Sequence, residues 1–189
     1  EREVVLTRQE CPARLVPSGT EISIPADTFV TITQALGGCF TVVFNGNLAR
    51  VEGKYSEALG KRLTEFSVAE VKDGEVSEAH VYEALRDVYD PEIPVNIVEL
   101  GLIYAVEISR RDGRNRVFIR MTLTAPGCGM GPVIADDVRF KVSRVPNVDE
   151  VDVELGEARV GPEIEKVRER IFLSGFFGKV FLKASLSDA

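Results

Sequence analysis

Short stretches of alternating apolar and polar residues dominate the first third of the chain. Glu21–Ile24 alternates, and Phe29–Thr33 is dense in β-branched residues, which favour strands. Phe40–Phe44 predicts another strand, because the turn dipeptide Asn45-Gly46 follows it. Residues 1–66 are therefore predicted to form a small β-rich module, either a sandwich or a barrel-like sheet.

The pattern changes from strands to a helix after a polar stretch at residues 67–76, which predicts a linker. Ser77 can cap a helix, and that helix must end near Asp90 because Pro91 disfavours a helical residue before it. The apolar positions then recur with the spacing of one helix face. They are Val81, Ala84, Leu85 and Val88.

A β-hairpin is predicted next, with its turn at Asp112-Gly113. The first strand is expected to place Leu102, Tyr104, Val106 and Ile108 on one face, and the second Val117, Ile119, Met121 and Leu123.

A second helix and a last strand complete this part of the chain. Pro132 is expected at the first helical position, and Ile134, Val138 and Val142 share one face. Residues 151–155 alternate as a strand. Residues 77–155 therefore predict a compact α+β domain with the order helix–strand–strand–helix–strand. Residues 156–189 are expected to form an atypical helical, Phe-rich tail that packs into a core or self-associates.

Composition narrows the class of protein. The 189 residues carry a net charge of −7, and the isoelectric point near 4.9 argues against general nucleic-acid binding. The 3 cysteines are not arranged as a disulfide framework, so we expect a reducing, cytoplasmic compartment. No apolar stretch is long enough to predict a membrane span. No signal peptide is recognisable, and because the chain begins at Glu1 rather than Met we expect a trimmed or partial chain.

Cys128 is the strongest candidate for chemistry. It lies in a glycine-rich loop just before a predicted helix, where the helix dipole and free amides lower the pKa of a thiol. Gly127 and Gly129 allow the backbone to fold closely around the sulfur. A thiolate is a soft ligand for iron–sulfur clusters and zinc, so Cys128 is a candidate metal ligand. The alternative is a buried, inert cysteine.

Asp90 and Glu92 form the second candidate, flanking Pro91 in a stiff turn after the first helix. They could hold a metal or tune a thiol, or they could simply form the turn by accepting backbone hydrogen bonds. We hypothesise that these carboxylates share one shallow pocket with Cys128. Cys39 is expected to be a small core or edge residue, Cys11 partly exposed, and His80, the only histidine, on the solvated side of the first helix.

Two segments of the chain together resemble a known family. Residues 90–104, which read DPEIPVNIVELGLIY, resemble the first signature of the metal–sulfur cluster biosynthetic family. Residues 122–130, TLTAPGCGM, resemble its second signature, and the similarity extends over residues 15–155. The Cys-Gly-Met-Gly version, preceded by a β-rich module, is similar to members that serve the bacterial SUF system.

The resemblance implies an accessory role in iron–sulfur protein maturation rather than classical enzymology. Cys128, Asp90 and Glu92 would be the functional residues, and Thr124, Gly127 and Gly129 would shape the loop. The partners would be the iron–sulfur assembly machinery and client apo-proteins, with a cluster bound transiently. Neither a nucleic acid nor a membrane is expected as a partner. Because a cluster usually has four ligands, binding at Cys128 would require a homodimer or other thiols.

One segment departs from the family. Members usually follow the last strand with a Trp-Asp-Pro-Pro-Trp run, whereas this chain has Gly156–Gly161 there and no tryptophan. Two other functions stay open at this point. One is a thiol enzyme in which Cys128 is the nucleophile and His80 the base. The other is a non-catalytic interaction adaptor.

Overall fold

The computed structural model describes residues 2–62, 74–123 and 129–156. Over these residues the chain has a β-rich first part and an α+β second part, which confirms the predicted α+β class. The predicted linker at 67–76 lies mostly outside the described residues, and so does the predicted tail, apart from Gly156. The division of the chain into two domains joined by a linker therefore stays a prediction.

The first part is one antiparallel sheet of six strands rather than two stacked sheets. The strands are β1 (Glu3–Leu6), β2 (Cys11–Leu15), β3 (Glu21–Ile24), β4 (Phe29–Leu36), β5 (Cys39–Phe44) and β6 (Asn47–Val51). Their spatial order is β1-β4-β5-β6-β2-β3. Strands β3, β4 and β5 match the sequence prediction, whereas β1, β2, β6 and a short 3-10 helix at Gly53–Leu59 were not predicted.

The second part follows the predicted order of elements. They are α1 (Glu78–Arg86), β7 (Ile103–Arg111), β8 (Arg114–Met121), α2 (Gly131–Val142) and β9 (Glu150–Leu155). Strands β7 and β8 pair antiparallel, and β9 pairs parallel to β8, as expected where a helix connects two strands of one sheet. The apolar stripe predicted for α1 is completely buried.

The start of α1 and the face of β7 differ in how well the sequence predicts them. The predicted cap of α1 is confirmed, because the Ser77 hydroxyl accepts the His80 amide at 3.5 Å. The predicted face of β7 holds for Val106 and Ile108, which are opposite the buried residues Ile119 and Val117. It is wrong for Tyr104, which is 42% exposed, and Ile103 is opposite the buried Met121 instead. The register of β7 shifts between Ile103 and Ala105, and such an irregularity breaks the simple alternation of a strand.

Each part has its own apolar core. The two parts also touch through polar groups: Lys141 of α2, 5% exposed, donates to the carbonyl oxygen of Gly37 in the β4–β5 turn at 2.7 Å. Among the described residues, no helix is long and apolar enough to cross a lipid bilayer.

Candidate functional site

A closed loop after α1 carries the two predicted carboxylates. Tyr89 pairs with Asn96 in an isolated antiparallel bridge, and the Ile97 amide donates to the Val88 carbonyl oxygen at 2.9 Å. The two ends of the loop at residues 90–95 therefore lie next to each other, directly beyond the end of α1. This closure fixes where Asp90 and Glu92 can lie.

Asp90 organises the start of this loop. Its side chain is buried, and Oδ1 accepts the amide hydrogens of Glu92 at 2.8 Å and Ile93 at 3.0 Å. Such a turn is the local role that Asp commonly takes before a proline. Asp90 therefore forms the turn through Oδ1, and this role leaves the charge of its carboxylate in place for a function at the same loop.

Glu92 is exposed as a residue, but neighbouring protein atoms partly desolvate its carboxyl group. This desolvation, and secondly the charge of Asp90, raise the pKa of Glu92 above its ordinary value. The two predicted carboxylates therefore interact electrostatically. A cation between them would be attracted to both.

The described ends of the two signature segments are joined by hydrogen bonds. The Leu102 amide donates to the Ile97 carbonyl oxygen at 3.0 Å, and the Thr122 amide donates to the Leu102 carbonyl oxygen at 2.9 Å. Residue 122, where the second signature starts, is therefore next to the segment that carries the first. The hairpin β7–β8 produces this adjacency.

Helix α2 begins at Gly131, one residue before the predicted start, and Pro132 lies in its first turn. Met130 occupies the N-cap position and makes no side-chain capping bond within the described part of the chain. Uncapped amides and the helix dipole favour negative charge before such a helix. The sequence predicts that the thiol of Cys128 lies in this environment, just before the N-terminus of α2.

The three predicted residues Thr124, Gly127 and Cys128 lie outside the described residues, so their shared pocket with Asp90 and Glu92 stays a prediction. Gly129 is described, and its backbone packs against the β2–β3 turn. A Cβ built on Gly129 would lie 1.9 Å from the Ser18 carbonyl oxygen. Residue 129 must therefore be glycine for this contact to form.

Of the other two cysteines, Cys11 differs from its prediction and Cys39 agrees with it. Cys11 was expected to be partly exposed, but it is completely buried, and burial raises the pKa of its thiol to about 11. Cys39 is half-buried at the edge of a cleft of about 500 Å³ between the first sheet and α2. Desolvation is the main cause that raises the pKa of the Cys39 thiol, although Arg50 opposes it.

His80 is half-buried rather than fully solvated, and its Nδ1 atom has no hydrogen-bond partner in the described residues. It lies in the first turn of α1, whereas Asp90 follows the last turn. With a rise of about 1.5 Å per residue, His80 is roughly 9 Å along the axis from the end of the helix. His80 therefore lies away from the carboxylates, and its pairing with Cys128 as base and nucleophile stays a prediction, because Cys128 lies outside the described residues.

Within the described ranges, no group of three His, Cys, Asp or Glu side chains could hold a metal ion. The cleft beside Cys39 is lined by Arg50, Asp137 and Lys141, and neither Asp90 nor Glu92 contributes to it. The sequence does not predict this cleft, because its walls come from two parts of the chain that are far apart in sequence.

Known proteins resemble the second part of the chain. Residues 78–154 match the family described as iron–sulfur cluster assembly protein. A relative from Porphyromonas gingivalis, named Fe-S protein maturation auxiliary factor, is 48% identical over 79 residues, or 42% of this chain and 72% of the relative. The chain belongs to this family.

Two further relatives extend the comparison. The Fe-S protein maturation auxiliary factor SufT of Staphylococcus aureus is 38% identical over 68 residues, covering 36% of this chain and 74% of the relative. An iron–sulfur cluster carrier protein of Deinococcus radiodurans is 31% identical over 100 residues, covering 51% of this chain and 27% of the relative. The first sheet lies outside the family match, which begins at residue 78.

Proposed function

We propose that this chain is an accessory factor in iron–sulfur protein maturation that passes a cluster to client apo-proteins through Cys128, with Asp90 and Glu92 beside it. The observation that carries the proposal is the match of residues 78–154 to the family, because this range contains both signature segments. Relatives named as auxiliary maturation factors support a non-catalytic role.

Cluster binding at Cys128 would be incomplete in one chain. The described residues offer no group of three metal-binding side chains, and an iron–sulfur cluster is typically held by four ligands. The missing ligands would come from a second copy, from small thiols or from the client. A cluster held in this way would be exchanged readily, as delivery requires. The relative named as a cluster carrier supports this transient binding.

The charges of the loop that carries Asp90 and Glu92 favour the binding of an iron cation. Asp90 is held in place by two amides, and the pKa of Glu92 is raised mainly by desolvation and secondly by repulsion from the charge of Asp90. A cation relieves this repulsion, whereas a free thiolate beside them would increase it. We therefore expect a metal-linked thiol at Cys128 rather than a free nucleophile.

The test is anaerobic reconstitution with ferrous iron and sulfide, followed by transfer to an apo-ferredoxin of the [4Fe–4S] type. Cys128→Ser should lose the cluster absorbance and the transfer, and Cys39→Ser is the matched control that should keep both. Equal activity of the wild-type and Cys128→Ser chains would overturn the proposal. Partner capture that survives Cys128→Ser, with no cluster bound by either chain, would favour the adaptor function instead.

A further inference from the structure

Three side chains of the first sheet form a row across neighbouring strands. Gln34 on β4 is opposite Thr41 on β5, and Thr41 is opposite Arg50 on β6. Directly opposed residues of an antiparallel sheet point to the same face, so the three side chains lie side by side. We call Gln34, Thr41 and Arg50 the donor row.

Each member of the donor row donates a hydrogen bond to the loop that carries Asp90. Gln34 Nε2 lies 3.0 Å from the carbonyl oxygen of Asp90, and Thr41 Oγ1 lies 2.9 Å from that of Pro91. Arg50 Nη1 lies 3.3 Å from the carbonyl oxygen of Tyr89. Three consecutive carbonyl groups are thus held by three consecutive strands. Thr41 and Arg50 are each only 4% exposed.

A β-bulge is needed to complete the row. Ile32 is opposite Val42, yet Gln34, only two residues further, is opposite Thr41, so the register of β4 shifts between them. In a regular strand Gln34 would share the face of Ile32, which belongs to the apolar core. The bulge turns Gln34 to the other face, where it reaches Asp90. Bulges of this kind often re-aim a side chain beside a functional site.

Opposing bonds fix the loop from its other side. Asp90 Oδ1 accepts the amides of Glu92 and Ile93, so the donor row holds the carbonyl groups while Asp90 holds the amides. The same sheet also touches the second signature, because Ser18 packs against Gly129. The sheet therefore contacts both segments that define the family.

We propose that Gln34, Thr41 and Arg50 are positioning residues, which set the placement of Asp90 and Glu92 for cluster handling. The first sheet is then a built-in support of the site, although it lies outside the family match. The expected effect on cluster transfer rests on the proposed function, whereas the placement of the loop rests on the hydrogen bonds described above. It predicts that removing one donor loosens the loop without unfolding the chain.

The test uses matched variants of the full chain. Thr41→Val keeps the shape of the side chain and removes the donor, whereas Thr41→Ser keeps the hydroxyl group. Gln34→Glu replaces a half-buried donor with an acceptor, so it serves as a second variant if Thr41→Val folds poorly. Thr31→Val, on the same sheet but outside the donor row, controls for the loss of a hydroxyl group.

Two measurements are read together. Hydrogen exchange of the Glu92 and Ile93 amides should accelerate at least about tenfold in Thr41→Val and Gln34→Glu, and stay within about threefold of wild type in Thr41→Ser and Thr31→Val. Cluster transfer to the apo-ferredoxin should slow by at least about fivefold in the same two variants only. Unchanged exchange, or accelerated exchange with unchanged transfer, would overturn the inference.

The two proposals can fail separately. If the wild-type chain transfers no cluster in a Cys128-dependent manner, the proposed function fails. In that case the exchange of the Glu92 and Ile93 amides, together with the pKa of Glu92 in Thr41→Val, still decides whether the donor row sets the loop. A Glu92 pKa and exchange rates equal to those of wild type would then overturn the donor row independently.

Discussion

Asp137 Oδ2 lies 2.6 Å from Nη2 of Arg50, although the two residues are 87 positions apart in the sequence. Their side chains are 12% and 4% exposed, and Lys141 approaches the same Asp137 oxygen at 3.5 Å. The pair joins β6 of the first sheet to α2, and Arg50 also belongs to the donor row. One buried arginine thus links the helix that follows Cys128 to the loop that carries Asp90.

This ion pair leads to a stability prediction. Asp137→Asn should lower the free energy of unfolding by about 3–5 kcal/mol, because it leaves the buried charge of Arg50 without its partner. Urea denaturation monitored by circular dichroism measures this change. The neighbouring Asp136→Asn is the matched control, since Asp136 is 73% exposed in its pair with Arg139 and should contribute less than about 1 kcal/mol. Equal effects of the two variants would contradict a buried link.

Cysteine alkylation should separate the three thiols. At neutral pH the raised pKa values of Cys11 and Cys39 keep both thiols protonated, and the pKa of about 11 leaves Cys11 with a thiolate fraction of roughly one in ten thousand. Cys128, placed before α2, should react fastest with iodoacetamide. Mass spectrometry of the native chain reads the order of labelling. Labelling of all three at one rate would remove the argument for an activated thiolate.

Gly129 should not tolerate a side chain. In Gly129→Ala the added Cβ would approach the Ser18 carbonyl oxygen to 1.9 Å, so the backbone on one side must move. We expect a loss of about 1–3 kcal/mol in unfolding free energy, as for overpacked sites, and faster hydrogen exchange in the β2–β3 turn. Gly156→Ala is the control, because its Cβ would meet its nearest atom at 3.8 Å. If hydrogen exchange in the β2–β3 turn of Gly129→Ala is as slow as in wild type, the contact between Gly129 and Ser18 is refuted.

A cleavage experiment examines the predicted linker. Limited proteolysis should cut the chain within residues 67–76, where the sequence is polar. The two fragments should then remain associated on a sizing column, because the bonds of Gln34, Thr41, Arg50 and Lys141 cross between them. High salt should weaken the association only slightly, since buried ion pairs are poorly screened. Fragments that separate at once would show that these bonds do not hold the two parts together.

The sequence predicts those elements that are determined by residues close together in the chain. The stripe of α1 and the cap at Ser77 are of this kind, and so is the hairpin turn at Asp112-Gly113, where both residues have positive φ. The signature residues likewise identify the loop of Asp90 before its geometry is known. In these cases neighbours a few residues apart determine the structure.

Features that depend on distant partners could not be predicted in this way. Strand β6 carries Arg50 between apolar residues, and its polarity is explained only by Asp137 and the Tyr89 carbonyl oxygen. The bulge that re-aims Gln34 interrupts the alternation of β4 with two adjacent polar residues, Thr33 and Gln34, but this break does not show which partner Gln34 meets. The donor row therefore becomes visible only when the register of three strands is known.

The last prediction concerns the coupling of the two carboxylates. Desolvation and the charge of Asp90 raise the pKa of Glu92, so the folded chain binds this proton more tightly than the unfolded chain. Stability must then fall as the pH rises from the ordinary value of about 4.3 through the raised pKa. Glu92→Gln stays neutral, so it should be more stable than wild type at pH 7 and equal to it below about pH 3.5.

Asp90→Asn tests the same coupling from the other side. The amide oxygen can still accept the hydrogens of Glu92 and Ile93, so the turn is kept while the charge is removed. The pKa of Glu92, followed by carbon-13 NMR, should move down toward its ordinary value, and Glu99→Gln in the same segment is the control that should leave it in place. Because the pair would lose its attraction for a cation, Asp90→Asn should also bind ferrous iron more weakly. A Glu92 pKa that does not respond would mean that desolvation alone raises it, and the case for a shared cation would then lose its electrostatic basis.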